Sequence, residues 1–276
     1  PLEEKLNSLI NKKVKNYFVA YSGGVDSTVL LDCANKIIKS FKDSSLVALH
    51  INHNYSNDSI TWKNHCIELC NKKNIKILTF DLDLSKLKGA SLENQLRDLR
   101  YKVFAENLGK DEQLFMAHHL DDNVETLFLR LFRGTGLKGA KSIQFKRLLG
   151  KGELVRPFLD FPKKDIEKYA EENELDFISD KTNEDISFDR NFIRKEITPL
   201  IEKRWPKYNE NLKKFIFNVN ESYEIVNDQI KIDFSFVSSS KKDQIVLSKL
   251  LAFPKNKQKN IITVSYTHLR AHETSR

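Results

Sequence analysis

Ser22-Gly23-Gly24-Val25-Asp26-Ser27 is the stretch of this chain best suited to chemistry. Two adjacent glycines let a backbone turn tightly and approach an anion closely. A helix starting just behind them directs unpaired N–H groups and its positive dipole end at the same point. Ser22 and Ser27 add hydroxyls, and Asp26 places a carboxylate where charge next to phosphate calls for a metal ion. The loop lacks the Gly-Lys-Ser/Thr ending of a Walker A loop and the Gly-x-Gly-x-x-Gly dinucleotide fingerprint. A simple Ser/Gly turn capping a helix is the alternative, and the strand before, the helix after and the Asp inside count against it.

A second block reads His118-His119-Leu120-Asp121-Asp122-Asn123-Val124-Glu125-Thr126. Asp121 and Asp122 complement a helix dipole at a first turn. Asp122 and Glu125 are three apart and share a helix face, so the pair could hold Mg²⁺, which takes oxygen ligands and bridges substrate phosphates. The histidine pair points to hydrogen bonding rather than zinc, for want of a third ligand nearby.

The elements that must position these residues follow from periodicity. Strands are expected at Tyr17–Tyr21, Leu46–Ile51, Ile75–Phe80 and Leu114–Ala117. Helices are expected at Ser27–Ser40, Ile60–Lys73, Leu92–Leu108 and Asp121–Phe132. This alternation predicts an α/β fold, a parallel sheet with helices on both faces, followed by a helical segment. Ligands in such sheets bind at the carboxyl ends of the strands, where both polar blocks fall. Beyond Phe132 we expect a Gly-rich loop over 133–139, a hairpin around Leu149–Gly152, and a helix from Pro162 to Asn173. Helices at Ile193–Trp205 and Asn211–Phe234 then flank a break at Pro206, and Ser238–Lys242 reads as a linker.

The 276 residues carry 46 basic and 38 acidic side chains, a net charge of +8 that favours a polyanionic partner without naming one. No apolar run approaches the ~20 residues that span a bilayer, so no membrane partner is expected. The opening PLEEKLNSLINKKVKN has no apolar block followed by a cleavage site. Three cysteines do not make a disulfide framework and fit a reducing, cytoplasmic setting. Cys66 and Cys70, four apart on an apolar helix, read as buried structural thiols.

SGGVDS resembles the loop of the N-type ATP pyrophosphatases, the PP-loop superfamily, which adenylate an oxygen and release pyrophosphate. The His118–Thr126 block, continuing through Arg130-Leu131-Phe132-Arg133-Gly134-Thr135-Gly136, resembles the tRNA(Ile)-lysidine synthetases. So do Glu93-Asn94-Gln95-Leu96-Arg97-Asp98-Leu99-Arg100-Tyr101, Val155-Arg156-Pro157-Phe158-Leu159, Asp180-Lys181-Thr182-Asn183 and Arg190-Asn191-Phe192-Ile193-Arg194. The likeness runs from about Val14 to Pro206. It departs after His50-Ile51-Asn52-His53, where Asn54-Tyr55-Ser56 replaces the family's Gly-Leu-Arg.

The resemblance implies ATP and Mg²⁺ as cofactors, with free L-lysine and the CAU-anticodon tRNA(Ile) as partners; a homodimer stays open as the assembly. Ser22 to Ser27 would hold the triphosphate, and Asp26 and Asp122 the Mg²⁺. Asp26, Asp122, Glu125 and Arg97 would be catalytic, with Asp122 and Glu125 alternatively orienting the lysine amine. Arg100, Arg133, Arg190 and Arg194 would meet RNA, although ordinary surface ion pairing explains any one of them as well. A tRNA thiolase of the same superfamily and a non-catalytic ATP- and RNA-binding protein are the rival readings. The implied domains are a catalytic PP-loop domain over 1–200 and a helical linker opening a truncated C-terminal region over 201–263. Val264–Arg276 is expected to be foreign, because Ser265–Thr274 resembles the translation of a transposase sequencing adapter. Without its Arg270, Arg276 and Glu273 the net charge falls only from +8 to +7. tRNA binding without the family's C-terminal region is expected to be weak and salt-sensitive.

Overall fold

The computed structural model describes residues 1–52, 59–83, 92–178, 184–239 and 244–263. The His53–Ser56 departure, the Glu93 side chain, the Asp180–Asn183 motif, the end of the Ser238–Lys242 linker and the segment from Val264 lie outside the described residues. The chain divides into two compact units, 1–134 with 142–213, and 135–141 with 214–276.

In the first unit, β1 (Asn16–Ala20), β2 (Ser45–Asn52), β3 (Lys76–Asp81), β4 (Gln113–Phe115), β5 (Lys146–Leu149) and β6 (Gly152–Val155) form one sheet in the order β3-β2-β1-β4-β6-β5. Each pairing from β3 to β6 is parallel, and β5 closes the edge antiparallel to β6. The hairpin thus forms where the Gly150–Gly152 turn predicts it. β1 has β2 on one side and β4 on the other, so the strand order reverses beside it. That reversal splays the loops after β1 and β4 apart and opens the crevice in which such sheets bind ligands.

Helices cover both faces, as the burial of three consecutive β1 residues, Tyr17, Phe18 and Val19, requires. Tyr17 and Val19 face a core built with α1 (Leu2–Leu9), α2 (Val25–Ile38), α3 (Ser59–Lys72) and α7 (Lys163–Glu172). Phe18 and Ala20 face the other side, where Phe104 of α4 (Leu92–Asn107) and Leu108 just beyond it meet Leu49, Leu114 and Leu154. β2 is buried over five consecutive residues, as its unbroken apolar text predicts.

Downstream, α5 (Leu120–Phe132) follows β4. Residues 189–204, expected in part as a single helix, form α8 (Asp189–Phe192), a π-helical turn (Ile193–Ile197) and α9 (Thr198–Arg204). α10 (Tyr208–Val237) begins after the break at Pro206. In the second unit, the expected loop over 133–139 contains a four-residue helical turn, α6 (Leu137–Ala140). There Val237, Leu250 of α11 (Leu247–Leu251) and Ile261 form a small buried cluster. Among the described residues, no helix is long and apolar enough to cross a membrane.

Candidate nucleotide site

The loop after β1 is shaped by its glycines. Gly23 sits at φ +88°, and its carbonyl accepts from the Ile178 N–H at 2.9 Å. A Cβ there would lie 2.8 Å from Cys66 Sγ and 3.0 Å from Ile178 Cδ1. Gly24 caps α2 with no side-chain acceptor, which leaves the first-turn amides open to an anion. The Ser27 hydroxyl donates to the Gly24 carbonyl at 3.0 Å and lies 3.1 Å from Ser22 Oγ, so it braces the loop. Half-buried Val25 packs against the core beneath. Gly23→Ala should cost at least about 1–2 kcal/mol from the left-handed backbone alone. It should also weaken ATP binding, read by thermal unfolding and nucleotide titration; unchanged unfolding and affinity would refute this account of the loop.

The loop after β4 delivers His119 as the N-cap of α5. Its ring accepts from the Asp122 N–H, and the Asp122 carboxylate accepts from the His119 N–H at 3.1 Å, a reciprocal capping box. Three carboxylates surround this imidazole. Asp26 Oδ2 is 3.9 Å and Asp122 Oδ2 3.4 Å from Nε2, and Asp121 Oδ2 is 3.5 Å from Nδ1. Burial alone would lower the pKa of His119, but Asp122, Asp121 and Asp26 raise it overall. Burial pushes Asp26 up, with Asp122 adding to it and His119 opposing. For Asp122 burial acts upward too, yet the two histidines and Arg190 bring it below the usual carboxylate range.

Asp121 has a different place. Its carboxylate accepts from the Lys163 N–H at 2.7 Å and from Asn209 Nδ2 at 3.0 Å, tying α5 to α7 and α10. Burial opposes ionisation, but these bonds and His119 outweigh it and hold the pKa at about 2. A depressed carboxylate contributes stability above its unfolded pKa and loses it as pH falls through the folded one. Asp121→Asn should therefore cost about 2 kcal/mol at neutral pH. The deficit should shrink between about pH 4 and 2; denaturant unfolding across that window tests it, and a pH-independent deficit would contradict it.

Mg²⁺ fits the residues present. Asp26 Oδ1 is buried without a hydrogen-bond partner, and the Asp26 and Asp122 carboxylates flank one imidazole. Among the described residues no three His, Cys, Asp or Glu side chains form a metal cage. Two carboxylates completed by phosphate oxygens are what Mg²⁺ commonly takes.

Glu125 is buried, its side chain 3% exposed, and Arg194 grips it with both prongs, Nε–Oε1 at 2.6 Å and Nη2–Oε2 at 2.9 Å. Arg194 Nη2 also reaches Asp122 Oδ1 at 3.5 Å, and Arg190 Nε stands 3.3 Å from Glu125 Oε2. Two of the four arginines expected to meet RNA thus hold carboxylates of the site here. Arg97, Arg100 and Arg147 gather 5.5, 5.9 and 4.7 Å from the Tyr101 ring centroid. Arg133 pairs with Asp189 at 2.9 Å on the exposed surface, apart from the cleft lining.

Between the two loops lies a cleft of about 200 Å³. The phosphate loop and Asp122 form its polar wall, Arg100 and His118 border it, and Leu49, Ile51, Phe104 and Met116 form an apolar wall. Such a wall suits a base, and the polar side suits phosphates. In the sequence these apolar residues are indistinguishable from sheet core, so periodicity could not mark them. Spacing does not single out His119 or Arg156 as site residues either; the carboxylates beside His119 are the signal available for the first.

A family model described as a PP-loop domain matches residues 1–201. The chain is 35% identical over 247 residues to a tRNA(Ile)-lysidine synthase of Coxiella burnetii, covering 90% of this chain and 54% of that protein. It is 42% identical over 207 residues to the tRNA(Ile)-lysidine synthase of Buchnera aphidicola subsp. Schizaphis graminum, covering 75% of this chain and 46% of the relative. The chain therefore spans about half the length of these curated relatives. Among solved structures, a U34-tRNA thiolase of Methanococcus maripaludis with its [4Fe-4S] cluster shares the fold, with TM-score 0.65 and 18% identity over 80% of this chain and 78% of that one. A glycine loop leading into an uncapped helix at a strand-order reversal, inside a match that spans residues 1–201, makes this chain a member of the PP-loop family.

Proposed function

We propose that this chain provides the catalytic part of a ligase that joins lysine to the wobble cytidine, position 34, of the CAU-anticodon tRNA(Ile). The observation that carries the reading is the convergence, at one cleft, of the open α2 N-terminus, the unpartnered Asp26 oxygen and the Asp122 carboxylate, with Arg194 linking Asp122 to the buried Glu125. The likeness to two tRNA(Ile)-lysidine synthases supplies the substrate class. The catalytic domain would occupy about 1–200, and residues 201–263 would open a further region.

The α2 amides and the loop N–H groups would hold the ATP phosphates in line. The C2 oxygen of cytosine attacks the α-phosphorus and pyrophosphate leaves, which makes C2 electrophilic. The lysine ε-ammonium gives one proton to the Asp122 carboxylate, the neutral amine attacks C2, the C2–O bond breaks with its electron pair leaving on AMP, and the new C–N nitrogen sheds a second proton to water. Mg²⁺, when bound, would neutralise charge that develops on the phosphates. Asp26 and Asp122 are the residues that would hold it. Asp122 and Glu125 offer negative charge to the incoming ammonium, with Arg194 and Arg190 fixing their orientation. No enzyme nucleophile is needed. The experiment mixes ATP, L-lysine and a minor isoleucine tRNA transcript with the chain and follows pyrophosphate and AMP. Pyrophosphate release that needs tRNA, followed by AMP formation that needs lysine, supports the ligase; AMP formation driven by sulfide instead, or no pyrophosphate despite ATP and tRNA binding, supports one of the rivals.

The thiolase reading needs a reactive sulfur. Cys33, Cys66 and Cys70 are wholly buried, and burial pushes each thiol up to about 12. A Cys33→Ala/Cys66→Ala/Cys70→Ala variant should keep lysine-dependent turnover within about threefold while losing about 1 kcal/mol of stability per site. A folded triple variant with no turnover would return the thiolase to contention.

A further inference from the structure

Arg156 lies just beyond β6 and is 3% exposed. All its guanidinium nitrogens are engaged: Nε donates to His118 Nδ1 at 3.2 Å, Nη2 to the Tyr101 hydroxyl at 3.2 Å, and Nη1 to the Gln144 carbonyl. Those acceptors are neutral, and among the described residues no carboxylate pairs with it. Burying a cation without a counter-charge is costly. Three of its five N–H donors are spent on these internal acceptors and the residue is buried, so its contribution lies in what it holds.

We infer that Arg156 is a positioning residue, which fixes His118 as the neutral tautomer protonated at Nε2 so that this N–H donates to an oxygen of the nucleotide in the cleft. The inference rests on the ATP-using reading above. Because Nδ1 accepts from Arg156, it carries no proton, and a neutral imidazole must then carry its proton on Nε2. Burial disfavours the imidazolium. Asp122 of α5 opposes that effect, while Arg156, Arg100 of α4 and Arg190 of α8 reinforce it, and the pKa falls to about 3. His118 lines the cleft beside the phosphate loop, so Nε2 is the ring nitrogen left to donate to a ligand there. A neutral imidazole polarises an oxygen without surrendering its proton, and it stays in that state across the physiological range.

The test uses the full chain with ¹⁵N-labelled histidine, with the His118 signal assigned by difference from His118→Gln. Nitrogen shifts of wild type should report the Nε2–H tautomer alone from pH 8 down to 5, and ATP should shift the Nε2 signal. Arg156→Lys, which keeps the charge but not the planar N–H, should give mixed tautomers. It should also lower kcat for pyrophosphate formation about 10- to 100-fold while KM for ATP changes little. In the His118→Gln background the same change should add almost no further loss. An Nδ1–H or charged His118 in wild type at pH 7, an Nε2 signal indifferent to ATP, or additive losses in the double variant would each overturn the inference. If Arg156→Lys fails to fold, the wild-type spectrum and its response to ATP still decide. If no pyrophosphate forms at all, the ligase reading falls, and the same spectra judge His118 separately.

Discussion

Asp26→Asn is expected to fold normally and to lose at least about 100-fold in pyrophosphate formation, the scale set by removing several kcal/mol of charge stabilisation from a phosphoryl transfer. The carboxylate sits in the loop that would cradle phosphates, with Oδ1 buried and unpartnered and Oδ2 3.9 Å from His119 Nε2. A bare carboxylate there repels ATP, and it becomes an asset only with a cation between them. The amide keeps the shape and removes the charge, so ATP alone should bind at least as well while the Mg²⁺ dependence of turnover disappears. Stability provides an independent check. Burial raises the pKa of Asp26, so its ionised form opposes folding at neutral pH. A raised carboxylate supports the fold below its unfolded pKa and loses that support as pH rises through the folded value. Asp26→Asn should therefore be as stable as wild type near pH 4 and equally or more stable at pH 7. Turnover unchanged in the variant removes Asp26 from the site; lower stability at pH 7 would mean the carboxylate has a structural partner.

Much of this arrangement is legible in the sequence because it is local. SGGVDS announces itself through two glycines and a following helix, and Gly23 at φ +88° against Cys66 and Ile178 is the constraint the glycines imply. Asp122 and Glu125 share a face of α5 because three residues make nearly one turn. What is not legible is what the topology brings together. β4 is the fourth strand in sequence but lies beside β1, and that pairing alone sets His119 next to Asp26. Glu125 and Arg194 meet across 69 positions, through a π-helical turn that periodic text reads as ordinary helix. α1 is not legible because its Leu2 and Leu6 give too short a pattern to separate from loop. Arg156 is recognisable in sequence only as part of a resemblance; its burial and its acceptors carry the meaning.

The largest stability effect is expected at Arg194. Glu125 is a carboxylate with a 3% exposed side chain, and Arg194 is its bidentate partner at 2.6 and 2.9 Å. Arg194→Met leaves that charge buried beside only the more distant Arg190 and should destabilise the chain by about 3 to 5 kcal/mol at neutral pH. Burial already raises the pKa of Glu125, and Arg194 restrains the rise. Without the arginine the carboxyl rises further, and the variant can regain stability by protonation. The deficit against wild type should thus be largest near pH 8 and shrink towards pH 5. Glu125→Gln/Arg194→Met, which removes both charges, should recover much of the loss, because the cost lies in the stranded charge rather than in lost attraction. Denaturant unfolding of wild type, both single variants and the double variant closes the cycle. A loss below about 1 kcal/mol for Arg194→Met, or a double variant equal to the sum of the singles, would show that water reaches Glu125 and that the pair is an ordinary surface contact. If the double variant folds as expected yet no longer couples lysine to AMP release, then the pair is kept for the charge it presents to the incoming amine, since neutral packing at the same positions suffices for the fold.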